Sequence, residues 1–382
     1  MSEWELDDDH LAFQAVCRRF VDEQVRPLVA AAEESGTFPR ELWPELGKAG
    51  LLGLGAPEDL GGSAAGPLAV TILSEELGRA SGGIAVTPLV SAYMAGTHVV
   101  AFGTPLQRER YVPPFVSGEA VMAIAVTEPG AGSDVAGIRS TAHAVEGGFV
   151  LNGTKMFITN AGLADAIVVA AKTDPGAGHR GITTFIVDRD HEGLSMGPPL
   201  KKMGWRSSDT REVVLDGCFV RDDQVLGVVG NGFYQIMSGF QLERVVLAGM
   251  GVGLAAEAAG LAREYADERL TFGSALGEKQ TIRHLLALMD TEVHVARLVT
   301  YQAAARIASD HPQAEEAVAM AKLVAARAAN RVVDDAVQVF GGSGYMDDTP
   351  VARHYRDARI LRIGGGTDEI QLEILAKRAS RP

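Results

Sequence analysis

At residues 123–134 the sequence reads Ala123-Ile124-Ala125-Val126-Thr127-Glu128-Pro129-Gly130-Ala131-Gly132-Ser133-Asp134. Its first half is an apolar run typical of a buried strand, and its second half is a polar, glycine-rich turn. Gly130 and Gly132 let the main chain approach a bound group closely, while Thr127 and Ser133 add hydroxyl donors. The stretch therefore favours a ligand site at the end of a strand, although a plain tight turn between two strands would use similar residues.

The composition is that of an acidic globular protein. The 382 residues include 49 Asp and Glu against 35 Lys and Arg, so the formal net charge is -14. This charge disfavours binding to nucleic acid and to anionic lipid surfaces, although a local cluster of arginines can still hold phosphates. At this length we expect two or three domains in close contact.

The cysteines and the N-terminal residues set expectations about the compartment. Cys17 and Cys218 are far apart in the sequence, so we expect two reduced thiols and neither a disulfide nor a metal site. Residues 1–9 are acidic and lack the apolar segment of a signal peptide. No run of about 18 uninterrupted apolar residues suggests a membrane span. We therefore expect a cytoplasmic enzyme.

Residues 1–120 have the spacing of an N-terminal helical domain. Apolar residues recur there at helical intervals, and helices are predicted to begin after Pro39, near Pro67 and near Pro105. The run from Gly83 to Phe102 is apolar or small almost throughout. It predicts a buried helix.

Residues 121–230 have the period of a β domain. Short runs rich in Val and Ile alternate with predicted turns at Glu146-Gly147-Gly148, Asn152-Gly153 and Asp216-Gly217. Regular short strands without intervening helices favour an antiparallel barrel or sandwich.

Residues 231–382 return to long helical patterns. Alanine-rich stretches and short joints favour close packing in a C-terminal four-helix bundle. The predicted helices are Phe233–Arg269, Gln280–Asp310, Gln313–Val339 and Thr367–Lys377. The whole chain is thus predicted to be an α+β protein of three domains.

One segment resembles a dinucleotide fingerprint. Val245-Val246-Leu247-Ala248-Gly249-Met250-Gly251-Val252-Gly253 can be read as a strand followed by spaced glycines. Helix formers precede it and no βαβ unit surrounds it, so we expect these glycines to serve tight helix–helix contact.

Two motifs carry a resemblance to a known family. The segment Val126–Asp134, followed by Lys155-Met156-Phe157-Ile158-Thr159-Asn160, is similar to the signature of the acyl-CoA dehydrogenases, and the order helical, β, helical bundle covers essentially the whole chain. The resemblance implies an FAD enzyme of fatty-acid or branched-chain amino-acid catabolism. It also implies an acyl-CoA substrate, an electron-transferring flavoprotein as acceptor, and a homotetramer.

The resemblance assigns three sets of FAD contacts, some of which reach the cofactor from a neighbouring subunit in the family. Contacts to the isoalloxazine ring and its surroundings are Ile124, Val126, Thr127, Gly132, Ser133, Phe157, Ile158 and Thr159. Contacts to the diphosphate and adenine are Arg269, Thr271, Phe272, Gln280, Gln338, Val339, Gly341 and Gly342. Thr367 and Glu369 complete the cofactor set.

The catalytic base departs from the commonest pattern. Many members carry it as the Glu of a Glu-Gly-Thr triplet, but this chain has Gly365 there, followed by Gly366 and Thr367. Glycine cannot accept a proton. The isovaleryl-CoA and long-chain branches carry the base on the first long helix after the β domain, where Glu243 matches, and its apolar neighbours would raise its basicity. Glu369 is the fallback candidate.

The remaining substrate contacts also follow from the resemblance. The Gly365 backbone amide is expected to hold the thioester carbonyl, with Gly366 beside it. The other implied substrate contacts are Ser133, Phe240, Leu242 and Arg244. Lys201, Lys202 and Arg206 form a basic cluster, which we interpret as a solvated loop.

Two alternative functions stay open at this point. A flavin oxidase or monooxygenase could use the same scaffold and would react directly with O₂. A non-catalytic CoA-binding subunit of a hetero-oligomer would explain the missing carboxylate at Gly365. The sequence does not define the length or branching of the acyl chain.

Overall fold

A computed structural model describes residues 6–379, and the first of its three parts is entirely helical. The predicted helix starts near Pro39, Pro67 and Pro105 are confirmed. A π-helical turn at residues 91–95 joins the helix Gly82–Val90 to the helix Gly96–Phe102, so the predicted buried helix Gly83–Phe102 is also confirmed. The helices are α1 (Asp8–Phe20), α2 (Val29–Ser35), α3 (Leu42–Lys48), α4 (Gly66–Ala80), α5 (Gly82–Val90), α6 (Gly96–Phe102) and α7 (Pro105–Ser117).

Local capping explains where α7 begins. Thr104 Oγ1 accepts a hydrogen bond from the Gln107 amide at 3.2 Å, and Gln107 Oε1 accepts one from the Thr104 amide at 2.9 Å. This reciprocal pair satisfies two amides that a helix start leaves free, and Pro105 has no amide to satisfy.

The middle part is one eight-stranded sheet with a core of its own. Its strands are β1 (Met122–Ala125), β2 (Thr141–Val145), β3 (Gly148–Thr159), β4 (Ala166–Lys172), β5 (Ile182–Asp188), β6 (Leu194–Met196), β7 (Thr210–Arg221) and β8 (Val225–Leu226). The order is β6-β7-β3-β2-β4-β5-β8, with β1 beside β4. Most pairs are antiparallel as predicted, but β1 and β2 both run parallel to β4, with Met122 opposite Ala166 and Thr141 opposite Lys172. Alternation along a strand does not encode the direction of its partner, so these exceptions were not predicted.

Two predicted turns meet in one β-bulge between the long strands β3 and β7. Leu151 faces Cys218, but Gly153 faces Leu215, so two residues of β7, Asp216 and Gly217, lie opposite the single residue Asn152. Gly217 takes a left-handed φ of 63°, and its amide donates to Asn152 Oδ1 at 2.8 Å. The prediction of turns at Asn152-Gly153 and Asp216-Gly217 is therefore wrong, because glycine and Asn serve a β-bulge as well as a turn. The turn at Gly147 is confirmed, with a φ of 78° between β2 and β3.

The C-terminal part consists of long helices, as predicted. Each of the four predicted helices ends within two residues of its observed bounds. A short hairpin after α8 and the helix α11 were not predicted. The elements are α8 (Gly232–Glu268), β9 (Leu270–Thr271), β10 (Ser274–Ala275), α9 (Gln280–Ala308), α10 (Ala314–Phe340), α11 (Pro350–Ala358) and α12 (Asp368–Ala379).

The N-terminal helices and the bundle share one core through α4 and α8. Ser74 Oγ on α4 donates to the Val246 carbonyl at 2.6 Å. A Cβ placed on Gly253 would lie 2.0 Å from the Glu75 carbonyl oxygen, so only glycine allows the two backbones to approach this closely. The glycines of 245–253 therefore serve helix contact, which confirms that expectation over the dinucleotide reading.

Two helical segments are long and apolar enough to cross a membrane, Gly82–Phe102 and Gly232–Glu268. Both are largely buried inside the protein, with 83% and 78% of their most apolar windows covered. Their composition is accounted for by their place in the core.

Candidate active site

The two signature motifs meet at the end of β1. The Met156 amide on β3 donates to the Thr127 carbonyl at 2.8 Å, which joins the turn after β1 to the second motif. A Cβ on Gly130 or Gly132 would meet no atom within 4 Å, so the turn borders open space. The turn can therefore admit a bound group, as predicted.

A buried ion pair holds this turn in place. Lys155 Nζ, fully buried, donates to Glu128 Oε1 at 2.7 Å and to the Val126 carbonyl at 3.1 Å. The same carboxylate accepts from Ser140 Oγ at 2.6 Å and from the Arg139 amide at 2.6 Å. The sequence analysis did not predict this pair, because β3 also carries Asn152 and Thr154 and its sequence does not mark Lys155 as buried.

Phe157 is presented at the surface by an unusual backbone. The register between β3 and β7 shifts between Lys155 and Ile158, and Phe157 takes a left-handed φ of 62°. Its ring is 65% exposed. Nearby, Asn160 Nδ2 donates to the Thr87 carbonyl at 2.9 Å and fixes the end of the strand. An aromatic ring held open in this way can stack on a planar cofactor.

Apolar packing brings the turn after β1 to the first third of α8. Phe240 and Val126 pack on one buried cluster that includes Ala131, Val135 and Ile236. Phe240 lies less than one helical turn before Glu243, so the predicted ring contacts and the predicted base belong to one region. Ile124 lies in β1 and Ile158 and Thr159 end β3, in the same region.

The Glu243 carboxylate lies close to Gly365, the position at which the sequence lacks the expected carboxylate. Its Oε1 lies 3.6 Å from the point that a Cβ on Gly365 would occupy, and Leu247 Cδ1 lies 2.6 Å from that point. Gly365 has a left-handed φ of 66°. Burial raises the pKa of the Glu243 carboxyl to about 7, against the smaller opposing effects of Arg244 and Lys322. A group with this pKa can take up a proton near neutral pH.

Glu369, the fallback candidate, differs from Glu243 in its exposure and in the direction of its pKa shift. It is exposed at the start of α12. Hydrogen bonds from its own backbone amide and from the Thr367 hydroxyl lower its pKa. It is therefore the weaker base of the two.

Three side chains fix the loop around Gly365. Arg244 Nε donates to the Gly365 carbonyl at 3.1 Å, and its guanidinium lies 5.6 Å from the centre of the Phe240 ring. Lys322 Nζ donates to the Gly366 carbonyl at 2.5 Å, and Gln371 Nε2 donates to the same oxygen at 3.1 Å. Arg244 was predicted to contact the substrate, whereas Lys322 and Gln371 were not predicted. Leu242 packs at the edge of the helical core.

The predicted diphosphate and adenine contacts lie at the other end of α8. Arg269, Thr271 and Phe272 belong to the hairpin after that helix, and the Phe272 ring is 98% exposed. Tyr265 stacks on Phe340 with ring centres 4.2 Å apart, which places the last turn of α10 at the same end. This set also contains Gln280, Gln338, Val339, Gly341 and Gly342. A Cβ on either of these two glycines would meet open space.

A single chain therefore does not bring the predicted isoalloxazine contacts and the predicted diphosphate and adenine contacts together. From residue 243 to residue 269 an α-helix rises about 39 Å, at 1.5 Å per residue. This is longer than an extended FAD molecule. If both predicted sets bind FAD, each chain offers two separate half-sites.

The basic loop differs from its prediction. Lys202 is half-buried, and its Nζ donates to Ser208 Oγ at 3.0 Å and to Thr210 Oγ1 at 2.9 Å. Burial lowers its pKa to about 8. Arg206 pairs with Asp347 at 3.0 Å, and only Lys201 is fully exposed, so the reading of a solvated loop is wrong for Lys202.

The two cysteines are free thiols, and both are buried. Burial raises the pKa values of Cys17 and Cys218 to about 12 and about 11. Within residues 6–379 no group of three or more His, Cys, Asp or Glu side chains could hold a metal ion.

Comparison with known proteins agrees with this geometry. The chain matches the acyl-CoA dehydrogenase N-terminal domain over residues 7–119, the middle domain over 123–218 and the C-terminal domain over 230–380. It is 38% identical over 373 residues to the mitochondrial isovaleryl-CoA dehydrogenase of Oryza sativa subsp. japonica, covering 97% of this chain and 91% of that one.

Solved structures give the same result. Butyryl-CoA dehydrogenase from Megasphaera elsdenii superposes with a TM-score of 0.96 and 35% identity, over 99% of this chain and 100% of that one. A chain in the structure of the electron transferring flavoprotein of Acidaminococcus fermentans has a TM-score of 0.96 and 33% identity, over 99% of each chain. This chain therefore belongs to the acyl-CoA dehydrogenase family, FAD-dependent oxidoreductases that act on acyl-CoA thioesters.

Proposed function

We propose that this acyl-CoA dehydrogenase uses Glu243 to remove the α-proton of the acyl-CoA thioester, giving the trans-2-enoyl-CoA. The observation that carries the proposal is the 3.6 Å distance from Glu243 Oε1 to the Cβ position of Gly365. The carboxylate thus approaches, from α8, the space next to the loop that carries the base in other members. This position also removes the reason for treating the chain as a non-catalytic subunit.

The residues of the site fit an FAD, whose isoalloxazine ring, when bound, accepts the hydride from the β-carbon. Phe157 offers an exposed ring, Thr127 and Thr159 offer hydroxyls, and the turn through Gly132 borders open space. Each of these features suits a planar ring with polar edges.

The chain's own groups then do three things. Glu243 is held poorly hydrated, which favours uptake of the α-proton. The Gly365 amide donates no hydrogen bond within residues 6–379, so it is free to hold the thioester carbonyl as that oxygen gains negative charge. The hydrogen bond from Arg244 to the Gly365 carbonyl holds the next peptide group of the same loop in place.

The Leu247 side chain borders the Gly365 loop on the side of α8. Its Cδ1 atom lies 2.6 Å from the point that a Cβ on Gly365 would occupy, so glycine is the residue that this close approach allows. Bleaching of the flavin by a panel of acyl-CoAs of graded length and branching would define the acyl preference of the site.

We further propose that two copies of the chain share each FAD, within the homotetramer that the family resemblance implies, and that an electron-transferring flavoprotein is the acceptor. The exposed hairpin at Phe272 supports the first inference. Slow reoxidation of the reduced enzyme in air would separate this acceptor from a direct oxidase reaction.

The decisive variant is Glu243→Gln, with Glu369→Gln as its matched control. We expect Glu243→Gln to keep bound FAD and to lower turnover by about 10²–10⁴, the contribution of a general base. Glu369→Gln, whose side chain is assigned to the cofactor, should keep most of its turnover per bound FAD. Near-normal turnover of Glu243→Gln, with loss in Glu369→Gln, would transfer the role of base to Glu369.

A further inference from the structure

Lys322 is a buried lysine whose charge is not paired directly with a carboxylate. It lies on α10, and only 1% of the residue is exposed. Its neighbours Ala321 and Ala325 belong to the buried cluster that also holds Val245 of α8. Among the ion pairs of residues 6–379, none includes Lys322. Because a buried ammonium without a paired carboxylate costs stability, a lysine at this place needs a reason other than packing.

The loop that carries Gly365 fixes the position of the Lys322 ammonium. Lys322 Nζ donates to the Gly366 carbonyl at 2.5 Å. The preceding glycine is the one whose Cβ position lies 3.6 Å from Glu243 Oε1. The ammonium on α10 and the carboxylate on α8 therefore border the same pair of glycines, from two different helices.

Several charged groups act on the Lys322 ammonium. In decreasing order of effect they are Asp368, Arg244, Glu243 and Glu369. The Asp368 carboxylate is already shared by Arg327 at 3.1 Å and Arg362 at 2.9 Å. Burial lowers the pKa of Lys322 to about 8, so the ammonium still carries its charge at neutral pH.

Two positive charges act on the Glu243 carboxyl. Arg244 follows it on α8, and the guanidinium is held by the Gly365 carbonyl and lies over the Phe240 ring. Lys322 acts from α10. Both charges oppose burial, which raises the pKa of the Glu243 carboxyl to about 7. Without Lys322, burial would therefore raise this pKa further.

We propose that Lys322 is a positioning residue for the dehydrogenation, an inference that rests on the proposed function. Anchored on the Gly366 carbonyl, it holds a fixed positive charge that stabilises the Glu243 carboxylate. An opposite charge favours the ionised form of a carboxyl, and its effect is larger where water is excluded. Lys322 takes no proton from the substrate. It allows a buried carboxyl to be ionised near neutral pH and so to accept the α-proton.

The test compares three substitutions of Lys322 in the holoenzyme. Lys322→Met removes the charge and the hydrogen bond, Lys322→Gln removes the charge but keeps a donor, and Lys322→Arg keeps both. Lys48→Met removes an exposed charge at the end of α3 and is the control for net charge. For each variant, kcat/KM with one acyl-CoA is measured as a function of pH.

We expect the rising limb of kcat/KM in Lys322→Met and Lys322→Gln to move up by about half a unit to one pH unit. Their kcat/KM should then be about three- to tenfold lower near pH 6 and approach the parent value above about pH 8. Lys322→Arg and Lys48→Met should not move the limb. The melting temperature of Lys322→Met should not fall, because Gln371 still donates to the Gly366 carbonyl.

A second measurement follows the Glu243 carboxyl without catalysis. In infrared spectra of the substrate-free holoenzyme, the carbonyl band of a protonated carboxyl that disappears in Glu243→Gln belongs to this residue. The pH midpoint of this band should rise in Lys322→Met by the same amount as the kinetic limb. If the band shifts while Glu243→Gln keeps its turnover, the charge effect is confirmed but Glu243 is not the base.

Two results would overturn the role of Lys322. A band and a kinetic limb that stay in place in both Lys322→Met and Lys322→Gln would mean that the ammonium does not act on Glu243. A loss of kcat/KM that is equal at every pH, with a lower melting temperature, would make Lys322 a structural residue of the bundle.

Discussion

At the scale of single residues, the proposed mechanism depends on an exchange between positions 243 and 365. A glycine with left-handed φ stands where related enzymes carry a carboxylate, and the Glu243 carboxylate approaches that space from another element. The sequence could predict this exchange because the absence of an acid is visible in the triplet itself. It could not predict Arg244, Lys322 and Gln371 as the groups that fix the loop, since their contacts join distant parts of the chain.

The raised pKa of Glu243 has a direct kinetic consequence. Because burial raises it to about 7, the free enzyme holds this carboxyl protonated below that pH and ionised above it. We expect kcat/KM to rise with pH up to about 7 and then to level off, since only the ionised form can accept the α-proton. A pH series with one acyl-CoA measures this. A profile already level at pH 5 would point to an ordinary, solvated carboxylate as the base.

At the scale of single elements, helical periodicity predicted the elements more reliably than strand alternation and turn residues did. The long helices of the bundle were predicted within two residues because their apolar pattern extends over many turns. Short α11 was missed because about two and a half turns carry too little pattern. The bulge that joins Asn152 and Gly217 was misread because residues that make turns also make bulges. The parallel pairing of β1 with β4 depends on a contact that strand alternation does not encode.

The turn after β1 depends on its buried ion pair. We expect Lys155→Met to destabilise the protein by about 3–5 kcal/mol, because Glu128 would be left buried without its partner charge. The double variant Lys155→Met/Glu128→Gln should recover much of this loss. Urea unfolding of the holoenzyme measures both. If the single and double variants were equally unstable, the cost would come from packing and not from the unpaired carboxylate.

Two glycines of α8 should respond in opposite ways to the same substitution. Gly253→Ala places a Cβ 2.0 Å from the Glu75 carbonyl oxygen, so α4 and α8 must separate and the protein should lose stability. Gly260→Ala meets no atom within 4 Å and should gain about 1 kcal/mol from the better helix propensity of alanine. Thermal unfolding of both variants compares them. Equal losses would mean that α8 tolerates no change at either position.

At the scale of the whole molecule, the two half-sites predict complementation between chains. A Glu243→Gln chain keeps an intact hairpin, and an Arg269→Ala chain keeps an intact base. If each FAD is shared, mixed assemblies contain some complete sites, so co-produced chains should be more active than either variant alone. Activity of co-purified, differently tagged chains measures this. No gain in mixed assemblies would show that each chain holds its own cofactor.

The length of α8 has a consequence for mixtures of normal and damaged chains. The helix carries a proton acceptor near one end and, about 39 Å away at 1.5 Å per residue, the hairpin proposed to grip a neighbour's cofactor. A mutation in that hairpin would leave the proton acceptor of its own chain intact, but it would weaken the binding of FAD in the adjacent chain. Such a faulty chain would act as a poison subunit, inactivating healthy neighbours in proportion to its share of the pool.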